Sequence, residues 1–126
     1  MAIDFTIPEE AKKVREKVRQ WVQDECIPAE KRLENGEDYK TVLNELRAKA
    51  RKQGLWLPFI PEEHGGAGLG MLDMALIVEA LCKGGAGCTL SQLFMLNPIF
   101  GGVSISKYGN DEMRRTVLPK IISGEI

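Results

Sequence analysis

His64 is the single histidine of the 126-residue chain and directly follows Glu62 and Glu63. A metal site built on it needs a second histidine, or ligands returning at i+3 or i+4, and the sequence supplies neither. It reads as a surface-loop histidine. Cys26, Cys82 and Cys88 show no pairing with a histidine and an orienting carboxylate, and there is no nucleophile elbow. The run Gly65-Gly66-Ala67-Gly68-Leu69-Gly70 invites a nucleotide reading. It lacks both the G-x-G-x-x-G spacing and the G-K-[ST] ending, and no strand pattern precedes it. A tight structural loop between two helices is expected instead.

Asp73 and Glu79 are the carboxylates of the most apolar helical stretch. Six residues apart, they lie about 120° from alignment on a helix, so they cannot act as a pair on one face. Each is expected to bond a neighbouring backbone group or a basic residue. The segment from Cys88 to Phe100 is the strongest ligand-contact candidate. Gln92, Leu93, Leu96 and Phe100 recur at helical spacing and give one apolar face with a polar group at one end. Such a stripe alone is more often core than pocket.

The elements that must position these residues read as helices throughout. Thr6-Ile7-Pro8-Glu9 predicts a capped start, with Thr6 and Glu9 capping reciprocally and Pro8 in the first turn. Ala11, Val14, Val18, Trp21, Val22 and Cys26 then recur by threes and fours, and Ile27-Pro28 predicts a stop. A short charged turn through Leu33 closes at Asn35-Gly36. Asp38 predicts the cap of a second amphipathic helix carrying Val42, Leu43, Leu46 and Ala50, with Gly54 as its left-handed stop. Residues 55–70 read as an ordered loop and 71–82 as a helix apolar nearly all round. A further helix is expected from Thr89 towards Lys107, loosened by Pro98 and Gly101-Gly102. Asn110 or Asp111 caps a last helix through Leu118, with Pro119 near its end and an extended exit at Ser123-Gly124-Glu125. No period-2 strand pattern and no repeat is visible. The fold class is all-α, a single domain of about five or six helices.

Composition narrows the function classes. The chain is 44% hydrophobic and 28% charged with net charge −1, which excludes a disordered chain and a dedicated nucleic-acid or polybasic membrane binder. Three cysteines are too few for a disulfide framework and fit a reducing compartment. No basic leader with an apolar run opens the sequence, so a cytoplasmic location is expected. Charge is unevenly spread: 23 of the 35 charged residues lie in 1–52, and 84–106 holds none across 23 positions. That stretch is long enough to span a bilayer. Its five glycines, Pro98, Gln92, Asn97 and five Ser, Thr or Cys residues make it a poor spanning helix. Burial by protein on several sides is expected. The outer helices do not cover so apolar a centre, so either the domain oligomerises or it belongs to a longer protein.

In order and spacing the sequence resembles the N-terminal helical domain of the acyl-CoA dehydrogenase family. The resemblance runs from Asp4-Phe5 and Glu9 through Glu25-Cys26-Ile27-Pro28, then Gly54-Leu55-Trp56 and Pro61-Glu62-Glu63-His64-Gly65-Gly66-Ala67-Gly68. It continues through Asp73-Met74-Ala75 and Glu79-Ala80-Leu81 to Tyr108-Gly109, Leu118-Pro119-Lys120 and Ser123-Gly124-Glu125. It is weakest over Glu30–Lys40.

Several expectations follow from the resemblance alone. Family members are FAD enzymes that remove an α-proton from an acyl thioester and pass a β-hydride to the flavin. Their middle β-domain carries most flavin contacts, and their C-terminal helical domain usually supplies the catalytic carboxylate. Both would be absent from residues 1–126, so the chain alone is expected to be inactive, with no catalytic, cofactor-binding or metal-binding residue of its own. The full enzyme would take an acyl-CoA substrate, pass electrons to an acceptor of the electron-transfer flavoprotein type and form a homo-oligomer. By position, Gln92, Leu93, Leu96 and Phe100 match the helix that lines the acyl cleft. No basic residue stands between Lys83 and Lys107, which favours uncharged acyl groups. Two other readings stay open: a relative with other flavin chemistry (a monooxygenase or nitroalkane oxidation), and a non-enzymatic helical interaction module.

Overall fold

The computed structural model describes residues 4–85 and 97–125, without the side chains of 97–99. Helix α1 spans Glu9–Trp21 and starts at Pro8, not at the expected Thr6 cap. With Pro8 as the flanking residue, Thr6 sits too far upstream to reach the free N–H groups of the first turn. Its own N–H instead donates to Asp4 Oδ1 at 2.8 Å, and Glu9 pairs with Lys12 Nζ at 2.6 Å.

The predicted stop at Ile27-Pro28 does not occur. A π turn over Val22–Cys26 carries α1 into α2, Ile27–Glu34, with Val22 and Ile27 still in right-handed helical geometry. The wider turn leaves room for the proline ring, and Pro28 stands in the first turn of α2, just after Ile27 N–H has closed the π turn onto Val22 O. Val18, Trp21, Val22, Cys26 and Ala29 therefore all reach the core along one continuous rod.

Helix α3, Tyr39–Lys52, begins as predicted: Asp38 accepts from the Thr41 N–H at 2.9 Å. It ends as predicted too. Gly54 takes φ +67°, its N–H donates to Arg51 O, and Leu55 N–H reaches back to Ala50 O at 2.8 Å. This double closure satisfies the last carbonyls and drops Leu55 into the core beside Ala50.

Residues 55–70 form the expected ordered loop, with a single 3₁₀ turn at Glu62–His64. Helix α4, Met71–Lys83, packs along α1 and buries Leu76, Ile77, Ala80 and Leu81. Its other face is open: Met71 is 77% exposed and Leu72 is exposed as well. The description resumes with a π-helical segment, Asn97–Val103, which runs directly into α5, Ser104–Tyr108. Asn110 caps α6, Asp111–Thr116, by accepting from Met113 N–H at 2.8 Å. Pro119 does not close that helix. It stands at the start of a further turn, α7, Leu118–Ser123, which Gly124 ends at φ +75°. No strand occurs among the described residues.

Two apolar clusters result. The larger joins α1, α2, α3 and α4 around Trp21, Leu46 and Leu81; the smaller joins Leu57, Ile60, Leu118 and Ile121. Trp56 and Val103 pack against both, so the loop and the 97–103 segment lock the second cluster to the first.

Candidate functional site

The 97–103 segment is held by its glycines. A Cβ on Gly102 would stand 2.5 Å from Ile60 Cδ1, and one on Gly101 would stand 3.4 Å from Ile121 Cδ1. The absence of a side chain at Gly102 lets the backbone settle on the loop, while at Gly101 the distance to α7 is an ordinary van der Waals contact. Phe100, next to this pair, is left 72% exposed. Gln92, Leu93 and Leu96 lie outside the described residues. Of the four predicted contact residues, Phe100 is therefore the one whose setting is described: an exposed aromatic on a firmly seated backbone.

The charged candidates are occupied structurally. Asp73 Oδ2 accepts from Gly70 N–H at 3.3 Å and closes the start of α4. Glu79 bonds Lys83 Nζ at 2.8 Å and faces Arg15 at 3.9 Å. The Lys83 bond, reinforced by Lys83, Arg15 and Arg19 charge, holds the Glu79 carboxyl below its usual range. Glu79 is thus an ionised partner in an ion-pair network and not a general base. His64 Nε2 stands 3.5 Å from Glu63 Oε1, and no group of metal-ligating side chains forms among the described residues. Burial in the apolar core, with Glu30 and Glu25 nearby, pushes the Cys26 thiol up to about 12, far from a reactive thiolate.

The glycine loop does not fit a dinucleotide. Gly65 N–H donates to Glu62 O, Gly66 N–H to Pro61 O, Gly68 N–H to Ile60 O and Leu69 N–H to Pro58 O. The amides that would cradle a phosphate are spent within the loop. A Cβ on Gly66 would collide with Ile60 O, so this glycine is required by packing.

One arrangement went unread in the sequence. Trp56 Nε1–H donates to Ile122 O at 3.0 Å, and the guanidinium carbons of Arg47 and Arg51 lie 5.8 and 5.3 Å from its ring centroid. The available signal was two arginines four apart near the end of α3, followed by a tryptophan just past its glycine stop.

Comparison with known proteins decides the family. The sequence model "Acyl-CoA dehydrogenase, N-terminal domain" matches residues 8–125. The chain belongs to the acyl-CoA dehydrogenase family. It is 30% identical over 122 residues to acyl-CoA dehydrogenase FadE12 of Mycobacterium tuberculosis, covering 97% of this chain and 30% of that protein. It is 28% identical over 117 residues to the mitochondrial isovaleryl-CoA dehydrogenase of Bos taurus, covering 93% of this chain and 27% of the relative. A probable acyl-CoA dehydrogenase of Bacillus subtilis is 30% identical over 122 residues, covering 97% of this chain and 19% of the relative. The chain thus spans less than a third of the length of these relatives. No solved structure matches it. The acyl-CoA dehydrogenase family is FAD-dependent in general, and the all-α fold seen here agrees with its N-terminal domain. Among the described residues of this acyl-CoA dehydrogenase domain, no helix is long and apolar enough to cross a membrane.

Proposed function

We propose that the chain is the N-terminal part of a FAD-dependent acyl-CoA dehydrogenase that performs α,β-dehydrogenation of an acyl-CoA thioester. The observation that carries this reading is the family match over residues 8–125, with relatives named acyl-CoA dehydrogenases. Gln92, Leu93, Leu96 and Phe100 contribute part of the wall against which the acyl tail lies. The exposure of Phe100 on a seated backbone and the uncharged stretch 84–106 support this role. The base and the flavin contacts belong to parts of the enzyme outside residues 1–126, and the chain alone does not turn over. The same reading includes an electron-transfer flavoprotein-type acceptor, a homo-oligomer and a cytoplasmic setting. Exposed Met71 and Leu72 at the start of α4 support the homo-oligomer, since exposed apolar side chains call for cover.

The test is the product of the native gene, purified from its own cell. A mass well above 14.0 kDa, with a yellow chromophore that bleaches on adding an acyl-CoA, is the expected result. A flavin-free product that binds no acyl-CoA would overturn it.

A further inference from the structure

A concave site lies where the glycine loop meets the end of α3 and Ile122. Arg51, Gly54, Trp56, Gly65, Gly66, Ala67 and Ile122 line a cleft of about 320 Å³, at the low end of small-ligand sites. Trp56 and Ile122 give it an apolar floor, glycines and an alanine give it walls without bulk, and Arg51 gives it one charge. Trp56 is fixed in place by its bond to Ile122 O, so the floor exists before any ligand arrives.

The charge balance is what points to an occupant. Arg47 and Arg51 stand four apart on α3, a repulsive spacing, and both guanidinium groups rest at the same indole. None of the ion pairs among the described residues includes Arg47 or Arg51, and Arg47 Nε is sealed from solvent without a hydrogen-bond partner. The cleft between α1 and α4 makes the contrast. It is similar in size and also carries cations, Arg19 and Lys83, but these already pair with Glu16 and Glu79. An arginine left unpaired beside a flat apolar surface suits a ligand with an oxyanion head and a planar body.

We propose that the Trp56 cleft binds a small ligand made of one oxyanion, phosphate or carboxylate, on a flat apolar body. Arg51 holds the oxyanion, and the apolar floor of Trp56 and Ile122 carries the body. This proposal does not depend on the dehydrogenase reading.

The experiment follows tryptophan fluorescence of the protein expressed from its own gene while phenyl phosphate, benzoate, inorganic phosphate and benzyl alcohol are added in turn. Phenyl phosphate or benzoate is expected to give a saturable change, and the tighter of the two identifies the head group. Inorganic phosphate and benzyl alcohol, each half of the ligand, bind at least about tenfold more weakly. Trp56→Phe abolishes the signal, Arg51→Gln weakens binding about tenfold, and Arg51→Lys falls between. Arg115→Gln, an exposed arginine on α6, leaves binding unchanged. No saturation by either two-part ligand, equal binding of benzyl alcohol, or an unchanged affinity in Arg51→Gln would overturn the proposal.

Discussion

Gly102 occupies a position where a Cβ atom would stand 2.5 Å from Ile60 Cδ1, and Ile60 is fully buried. This single approach ties the 97–103 segment, and with it Phe100, to the loop that follows α3. The backbone beneath an exposed aromatic is thereby set by a contact between a missing side chain and the tip of a packed one.

That relationship predicts a specific pair of variants. Gly102→Ala forces a methyl group against Ile60 and is expected to destabilise the protein by about 1–3 kcal/mol, the usual cost of overpacking. Ile60→Val removes the opposing Cδ1. The double variant should recover part of the loss, with a coupling of at least about 0.5 kcal/mol in a double-mutant cycle of urea midpoints. Strict additivity of the two changes would show that the approach is not what seats the segment.

The cysteines give a chemical readout of the core. Cys26 is buried with its thiol pushed up to about 12, while Cys82 on α4 is exposed. Iodoacetamide at about pH 8 is expected to label Cys82 in the folded protein and to reach Cys26 only after unfolding in urea. Peptide mapping by mass spectrometry separates the two sites from Cys88. Labelling of Cys26 at the rate of Cys82 under native conditions would mean that the π turn around Val22–Cys26 opens freely.

Glu79 supplies the pH dependence. Its carboxyl is held below the usual value of 4.5, first by the Lys83 bond and then by Lys83, Arg15 and Arg19 charge. A carboxylate depressed in the folded state adds stability above its unfolded pKa and loses that contribution as pH falls through the folded value. Parent and Glu79→Gln should therefore differ most near about pH 7 and converge below about pH 4.5. Urea midpoints taken across that range check the sign. A difference that grows as the pH falls would contradict it.

Local signals were legible because their chemistry is local. Asp38, Gly54 and Asn110 act on amides or carbonyls within three or four residues, and each does what its type and place predict. Pro28 and Pro119 misled because a proline marks a missing N–H, not a helix end. Whether the chain stops there depends on what the next residues bury. Val22 and Cys26 gain burial by continuing through a π turn, and Leu118 and Ile121 gain it by starting a new one. The Trp56 cleft was illegible for a related reason. Arg47, Arg51 and Trp56 are close in sequence, but Gly65, Gly66 and Ile122 arrive only when the chain closes on itself. In the proposed acyl wall, the spacing of Gln92, Leu93, Leu96 and Phe100 gives a helical face without saying which way it points. At Phe100 the neighbouring glycines decide that, by turning their own side of the segment to Ile60 and Ile121.

Phe100 carries the prediction closest to function. If it shortens the acyl cleft of the full-length enzyme, Phe100→Ala opens room for chain that the parent excludes. Each methylene newly buried is worth about 0.8 kcal/mol, so two of them shift the preference between acyl chains roughly tenfold. The expected outcome is a rise in the ratio of kcat/KM for a longer acyl-CoA over a shorter one, because the comparison isolates binding at the tail from the chemistry at the thioester. Since Phe100 is exposed in this chain, its truncation removes little core packing, and the variant should keep the stability of the parent. Equal ratios across chain lengths in a stable variant would take Phe100 out of the acyl wall and leave its exposed ring to be explained by contact with another part of the enzyme.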